Sequence, residues 1–229
     1  MKPLILRTRI SRVASGGREF RVIRAERLSR HLYVHAGDFY YEILADLGAG
    51  LDLAAAWALA MRSPRSLVYL PLRSNRPPRD EPWRDGPLDV VFVHASMQFR
   101  AAAWKEVRAR LGTGHAHTVE LHGVDKEFQR LQDTDFEPTR DRDFRHHLRY
   151  ATAAETLFVV GSGPAFAREG AWLRHFIEEL PAAARNTAGA AGHQCVEIWP
   201  SIWKPGHTRR VGPGGLHLIY APDGWPSGR

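Results

Sequence analysis

Thr156–Trp172 reads TLFVVGSGPAFAREGAW: an apolar run, a Gly-Ser-Gly-Pro turn and a helical pattern. The chemistry such a corner offers is anion binding. Glycines let the backbone come close to a phosphate, and the first turn of a helix presents N–H groups that lack partners. A dinucleotide fingerprint also needs a third glycine and an acid about 20 residues on, after a second strand. Phe166 stands where that glycine would be, and residues 177–185 read as helix and loop. The structural alternative is a strand-to-helix corner, with Ser162 as the helix cap and Pro164 in its first turn.

Other reactive side chains give weaker patterns. Of twelve histidines, His115, His117 and His122 lie closest together, with the pair His146 and His147 next. Adjacent residues on a helix point about 100° apart, so the pair is not an i, i+4 ligand set. No HExxH or Cys/His spacing occurs, so no metal is expected. Cys195 is the single cysteine, which excludes an intrachain disulfide, and within HQCVEIW it reads as a small buried hydrophobe. Ser96, His122 and Asp125 could compose a triad, but no G-x-S-x-G elbow presents the serine.

The elements that must position these residues come from apolar periodicity. Strands are expected over 66–72, 88–94, 117–123, 156–161, 194–200 and 216–222, with a shorter one in EFRVIRAE. Helices are expected over 51–63, 100–112, 144–155 and 165–180, the last ended by Pro181. From Leu88 onward strands and helices alternate, which predicts an α/β fold. The expected sheet is mainly parallel, of four or five strands, with helices on both faces. The loop Arg73–Pro87, with four prolines, divides an N-terminal basic extension or subdomain (1–87) from an α/β domain (88–229), and the two can pack as one. Ligands on parallel sheets sit at the carboxyl ends of the strands. That selects His94, Ser96 and Met97, then His122, Gly123 and Asp125, then Ser162 and Gly163.

Charge is distributed unevenly along the 229 residues. Residues 1–30 hold nine Lys/Arg and two acids, a local excess of +7 equal to the whole formal net charge. The other 199 residues carry 23 of each sign. A basic end of this kind suits nucleic acid or an acidic partner. The longest apolar stretch, Leu51–Met61, contains Asp52 and is too short to span a bilayer, so no membrane partner is expected. No targeting segment is recognisable, and the expected setting is cytoplasmic.

Two segments together resemble TIR (Toll/interleukin-1 receptor-like) domains. LDVVFVHAS is similar to the opening strand and its His/Ser-rich loop. TLFVVGSGPAFAREGAW resembles the later strand, Ser-Pro-x-aromatic turn and tryptophan-bearing helix, and HQCVEIWP the strand that follows. The resemblance covers residues 88–200 and implies a flavodoxin-like fold with NAD or a related nucleotide as ligand or substrate. Active members cleave the nicotinamide–ribose bond with a glutamate four residues after the tryptophan. Here that position is Phe176, and the nearest acids are Glu178 and Glu179, of which Glu179 returns to the face of Trp172. On this reading Glu179 or Glu178 supplies the carboxylate, while His94, Ser96, Ser162 and Gly163 line the ribose and phosphate side.

The leading expectation is therefore a nucleotide-handling or nucleotide-sensing domain. The first alternative is a non-catalytic interaction protein, with a protein partner or a homo-oligomer. The second is nucleic-acid binding through residues 1–30.

Overall fold

Alternating apolar and polar residues run through Leu4–Ser15 (β1) and Arg18–Glu26 (β2). Gly16 and Gly17, at φ 58° and 74°, turn one strand into the other. Two successive residues with positive φ match the twist of a tight hairpin, and glycine takes that conformation without a Cβ clash. The computed structural model describes residues 2–78, 86–137, 145–186, 193–199 and 213–226. The middle of the proline-rich loop, at 79–85, lies outside them.

The remaining strands are β3 (Leu32–Ala36), β4 (Tyr41–Ala45), β5 (Ser66–Leu70), β6 (Asp89–His94), β7 (His115–Leu121), β8 (Arg149–Ala153), β9 (Thr156–Gly161), β10 (Gln194–Ile198) and β11 (Leu216–Tyr220). The helices are α1 (Leu47–Arg62), α2 (Trp104–Ala109), α3 (Val124–Glu127), α4 (Gly163–Glu178) and α5 (Leu180–Asn186). Seven strands form one sheet in the order β7-β1-β2-β5-β6-β9-β8, and four form a second in the order β10-β11-β4-β3.

The fold is α/β, but the large sheet is mixed. Only β2–β5 and β6–β9 pair in parallel, and its other four neighbouring pairs are antiparallel. This corrects the expected mainly parallel sheet of four or five strands. The physical reason lies in α1: it links β4 of the second sheet to β5 of the first, so this strand–helix–strand unit is not a crossover within one sheet. Strands from either side of residue 87 hydrogen-bond to each other in both sheets.

A second correction concerns 144–155, expected as a helix. Arg149–Ala153 is instead an edge strand antiparallel to β9. Its connecting turn uses Ala154 and Glu155 at φ 49° and 56°. The sequence there has no Asn-Gly or Gly-Gly signal to announce a hairpin. Residues after Pro181, expected as loop, continue in α5.

One face of the large sheet packs on α1, α4 and the inner face of the second sheet, around Trp57, Phe92, Phe166 and Phe176. The indole of Trp57 donates to the carbonyl of Phe166 at 2.8 Å, which satisfies its one polar atom inside the core. The opposite face packs on α2, where Trp104 and Val107 meet Tyr69, Val22 and Phe158. Truncating a buried aromatic such as Trp57 or Trp104 removes about 3–5 kcal/mol. Among the described residues no helix is long and apolar enough to cross a membrane.

Candidate functional site

Because β5 and β6 are antiparallel, the two parallel pairs point in opposite directions. The large sheet therefore has two places where parallel strands end side by side, at opposite ends. One follows β6 and β9, and the other follows β2 and β5.

The first holds four of the residues expected from sequence. His94 ends β6 beside Gly161 of β9, which brings His94, Ser96, Ser162 and Gly163 to one corner. Ser162 caps α4, its hydroxyl accepting the Ala165 N–H at 3.3 Å. His94 Nε2 accepts the Gly163 N–H at 3.1 Å. The other ring nitrogen, Nδ1, lies 2.7 Å from Ser96 Oγ and 3.2 Å from the Ser96 backbone N. Burial holds the His94 imidazole below its ordinary pKa, in keeping with a neutral ring. His146 Nδ1 also meets the Ser162 hydroxyl, at 2.9 Å.

The first-turn donors of α4 can be followed one by one. Gly163 N–H goes to His94, Pro164 has none, Ala165 N–H goes to the Ser162 side chain and Phe166 N–H to the Ser162 carbonyl. A phosphate would find no open N–H in this turn. The corner behaves as a well-capped helix start.

Glu178 and Glu179 are not brought to this corner. They sit at the other end of α4, about 22 Å along a helix of this length. Arg174 donates to Glu178 at 3.0 Å, and Glu179 lies 3.2 Å from His175. His122, Gly123 and Asp125 follow β7, an outer strand of the large sheet that runs opposite to β6 and β9.

The second corner was not singled out from sequence. Beyond the ends of β2 and β5 lies an open cleft of about 640 Å³ on the α2 side. Arg9, Arg24, Arg27, Arg30 and Arg108 line it, with one acid, Glu26. Strand alternation explains the convergence. Arg9 on β1 is the register partner of Arg24 on β2, and Arg24 is the partner of Tyr69 on β5, so all three share the α2 face. Glu26 accepts from Arg9 at 2.6 Å, and Arg24 reaches the Thr113 carbonyl at 3.5 Å. Arg27 is exposed at φ 54°, a conformation that non-glycine residues seldom take. Leu28, Pro71 and Leu111 supply an apolar wall.

A buried carboxylate braces this cleft from beneath. Asp89 is 1% exposed. It accepts from Tyr69 Oη at 2.9 Å, Leu72 N at 2.8 Å, Arg73 N at 3.1 Å, Arg73 Nε at 3.0 Å and Arg108 Nη1 at 3.3 Å. Arg73 also pairs with Glu155, and Arg108 donates to the Ala154 carbonyl at 3.0 Å, which ties down the hairpin turn with two positive φ values. Burial beside Asp89 pushes the Tyr69 hydroxyl far above its ordinary pKa, so it stays a donor.

No family model matches the chain, and no curated protein or solved structure matches it.

Proposed function

We propose that the protein binds a phosphate-bearing nucleotide, with the arginine cleft as its phosphate site. The observation that carries this reading is the convergence of five arginines and one acid on a cleft of about 640 Å³. That volume is in the range of small-molecule sites. Guanidinium groups are planar forks suited to bidentate phosphate contacts, and a concave site of one sign concentrates anions. The Leu28, Pro71 and Leu111 wall offers apolar surface to a base. Of the nine basic residues in 1–30, four face this cleft. Arg12 is instead paired with Glu19, Arg18 lies over the Phe20 ring, and Arg21 donates to Ser66.

NAD belongs to the same ligand class through its pyrophosphate. Cleavage of NAD, the activity implied by the TIR resemblance, would need a carboxylate beside the bound ribose. Glu178 and Glu179 stand at the far end of α4 from the first corner and are not among the residues lining the cleft.

A second reading is binding of an oligonucleotide along the same surface. It is favoured by the +7 excess of residues 1–30, four of whose basic residues line the cleft, while the adjoining cavity of about 200 Å³ sets Arg7 and Arg27 against Glu26 and Asp52. Aromatic stacking is the usual companion of single-strand binding, and Tyr69, the aromatic residue lining the cleft, is 6% exposed.

Equilibrium dialysis of the full chain against ATP, NAD and inorganic pyrophosphate tests the proposal. All three are expected to bind, and an Arg24→Glu/Arg27→Glu variant to weaken by at least tenfold, about 1.4 kcal/mol. Thermal stability should hold, because neither side chain is in the core. Equal affinity in the variant, or no binding by the wild type, overturns it. Affinity that rises with oligonucleotide length and falls steeply with salt supports the second reading instead.

A further inference from the structure

The outer face of the second sheet carries chemistry that neither corner uses. Along β10 the inward residues are Val196 and Ile198, which are buried in the main core, so Cys195 and Glu197 point outward. Along β11, Leu216 and Leu218 face in and His217 faces out. Register then sets Glu197 opposite His217, and His217 opposite Glu42 of β4. His193, one residue before β10, continues the outward series of Cys195 and Glu197.

Three ligand atoms meet here. The ring nitrogens of His193 and His217 and the sulfur of Cys195 all lie within 4.8 Å of one another. The two Nε2 atoms are 3.2 Å apart. Two ligands on a tetrahedral ion, each bonded at about 2.0–2.1 Å, stand about 3.3 Å apart. The imidazoles thus already hold the spacing of a tetrahedral edge, with the sulfur as a third corner.

We propose that His193, Cys195 and His217 form a binding site for zinc, a tetrahedral N₂S set that leaves a fourth position for water or an external ligand. Two imidazoles and a thiolate suit a borderline-soft divalent ion rather than magnesium or calcium. Each neutral imidazole offers one nitrogen lone pair to a metal. An ordinary cysteine thiol holds its proton near neutral pH. Binding therefore breaks the S–H bond, forms a sulfur–zinc bond and sends one proton to solvent.

The surroundings are built as well. Glu197 accepts from Trp199 Nε1 at 3.0 Å and from Tyr40 Oη at 3.3 Å, which holds a carboxylate beside the set. Carboxylates in that position orient ligating histidines and increase their basicity. Tyr40 also packs its ring on His217, with centroids 5.4 Å apart. The signal in the sequence is faint: His193 and Cys195 are two apart on one strand, and their partner comes from the next strand.

The test uses the full chain without a histidine tag, stripped with a chelator and titrated with cobalt(II). One equivalent is expected to bind, with the strong visible absorption of a tetrahedral ion and a near-ultraviolet thiolate-to-cobalt band. Zinc should displace it, and either ion added to the metal-free protein should release about one proton in weak buffer. Cys195→Ser should abolish the thiolate band. His193→Ala, at an exposed position outside the strand, should weaken cobalt binding by about tenfold or more without disturbing the fold. The absence of stoichiometric binding, or the same spectrum and affinity in both variants, overturns the assignment.

Discussion

The large sheet ends in two corners that obey one topological rule and reach opposite outcomes. After β6 and β9, the chain enters α4 through Gly-Ser-Gly-Pro, and His94 and Ser162 occupy the amide donors of that turn. After β2 and β5 no such helix begins among the described residues, and five arginine side chains line an open cleft. The rule that ligands gather at the carboxyl ends of parallel strands selects both places equally. What separates them is the kind of donor: backbone N–H groups taken up by the cap at one, and guanidinium groups with several N–H donors each at the other. A helix start that looks like a phosphate cradle in sequence is silent once its own side chains cap it.

The largest expected effect comes from removing the brace beneath the cleft. Asp89→Asn leaves Arg73, Arg108 and two backbone N–H groups facing a neutral side chain, and is expected to cost about 3–5 kcal/mol. Denaturant unfolding reads this directly. Nucleotide affinity should fall with it, since Arg108 loses its anchor. A loss below about 1 kcal/mol would mean that the arginines are held by something other than Asp89.

The first corner is probed by Ser162→Ala. Loss of the cap should remove about 1 kcal/mol of stability and leave nucleotide affinity unchanged. Affinity that falls with this substitution would move the ligand to the Gly-Ser-Gly-Pro turn and reverse the comparison.

A smaller effect is read through pH. The folded His94 holds its proton less tightly than the unfolded chain, whose imidazole titrates near 6.5. Between those two values the unfolded state binds more protons, so stability increases with pH. The contribution is complete above about pH 6.5 and is lost as the pH falls through that value toward the lower folded one. Thermal melts at descending pH should show a shallower decline for His94→Gln than for the wild type. Parallel curves would show that His94 is not the titrating cap.

Much of the strand-to-helix corner was legible from sequence. TLFVVG and the Ser162 cap follow from a β-branched run and a polar residue before Pro164, and the structure places both as expected. The sheet type was not legible, because direction depends on which strands pair. The alternation in RTRISR and the Gly-Gly after it mark a hairpin that apolar-run reading passed over. Residues 144–155 read as helix, while the turn conformation at Ala154 and Glu155 is held by Arg73, Arg108 and Asp89 from elsewhere. The charge excess of residues 1–30 was plain, but its focus was not. Arg108 comes from α2, and only the β1–β2–β5 register aims Arg9 and Arg24 at the same space.

The most direct test of the account follows backbone amide resonances of isotope-labelled protein during titration with pyrophosphate and then ATP. The account predicts that amides of Arg24–Arg30 and Arg108–Thr113 shift and saturate, while those of Gly163, Ala165 and Phe166 stay in place. Shifts confined to Gly163–Phe166, with Arg24–Arg30 unmoved, would contradict it.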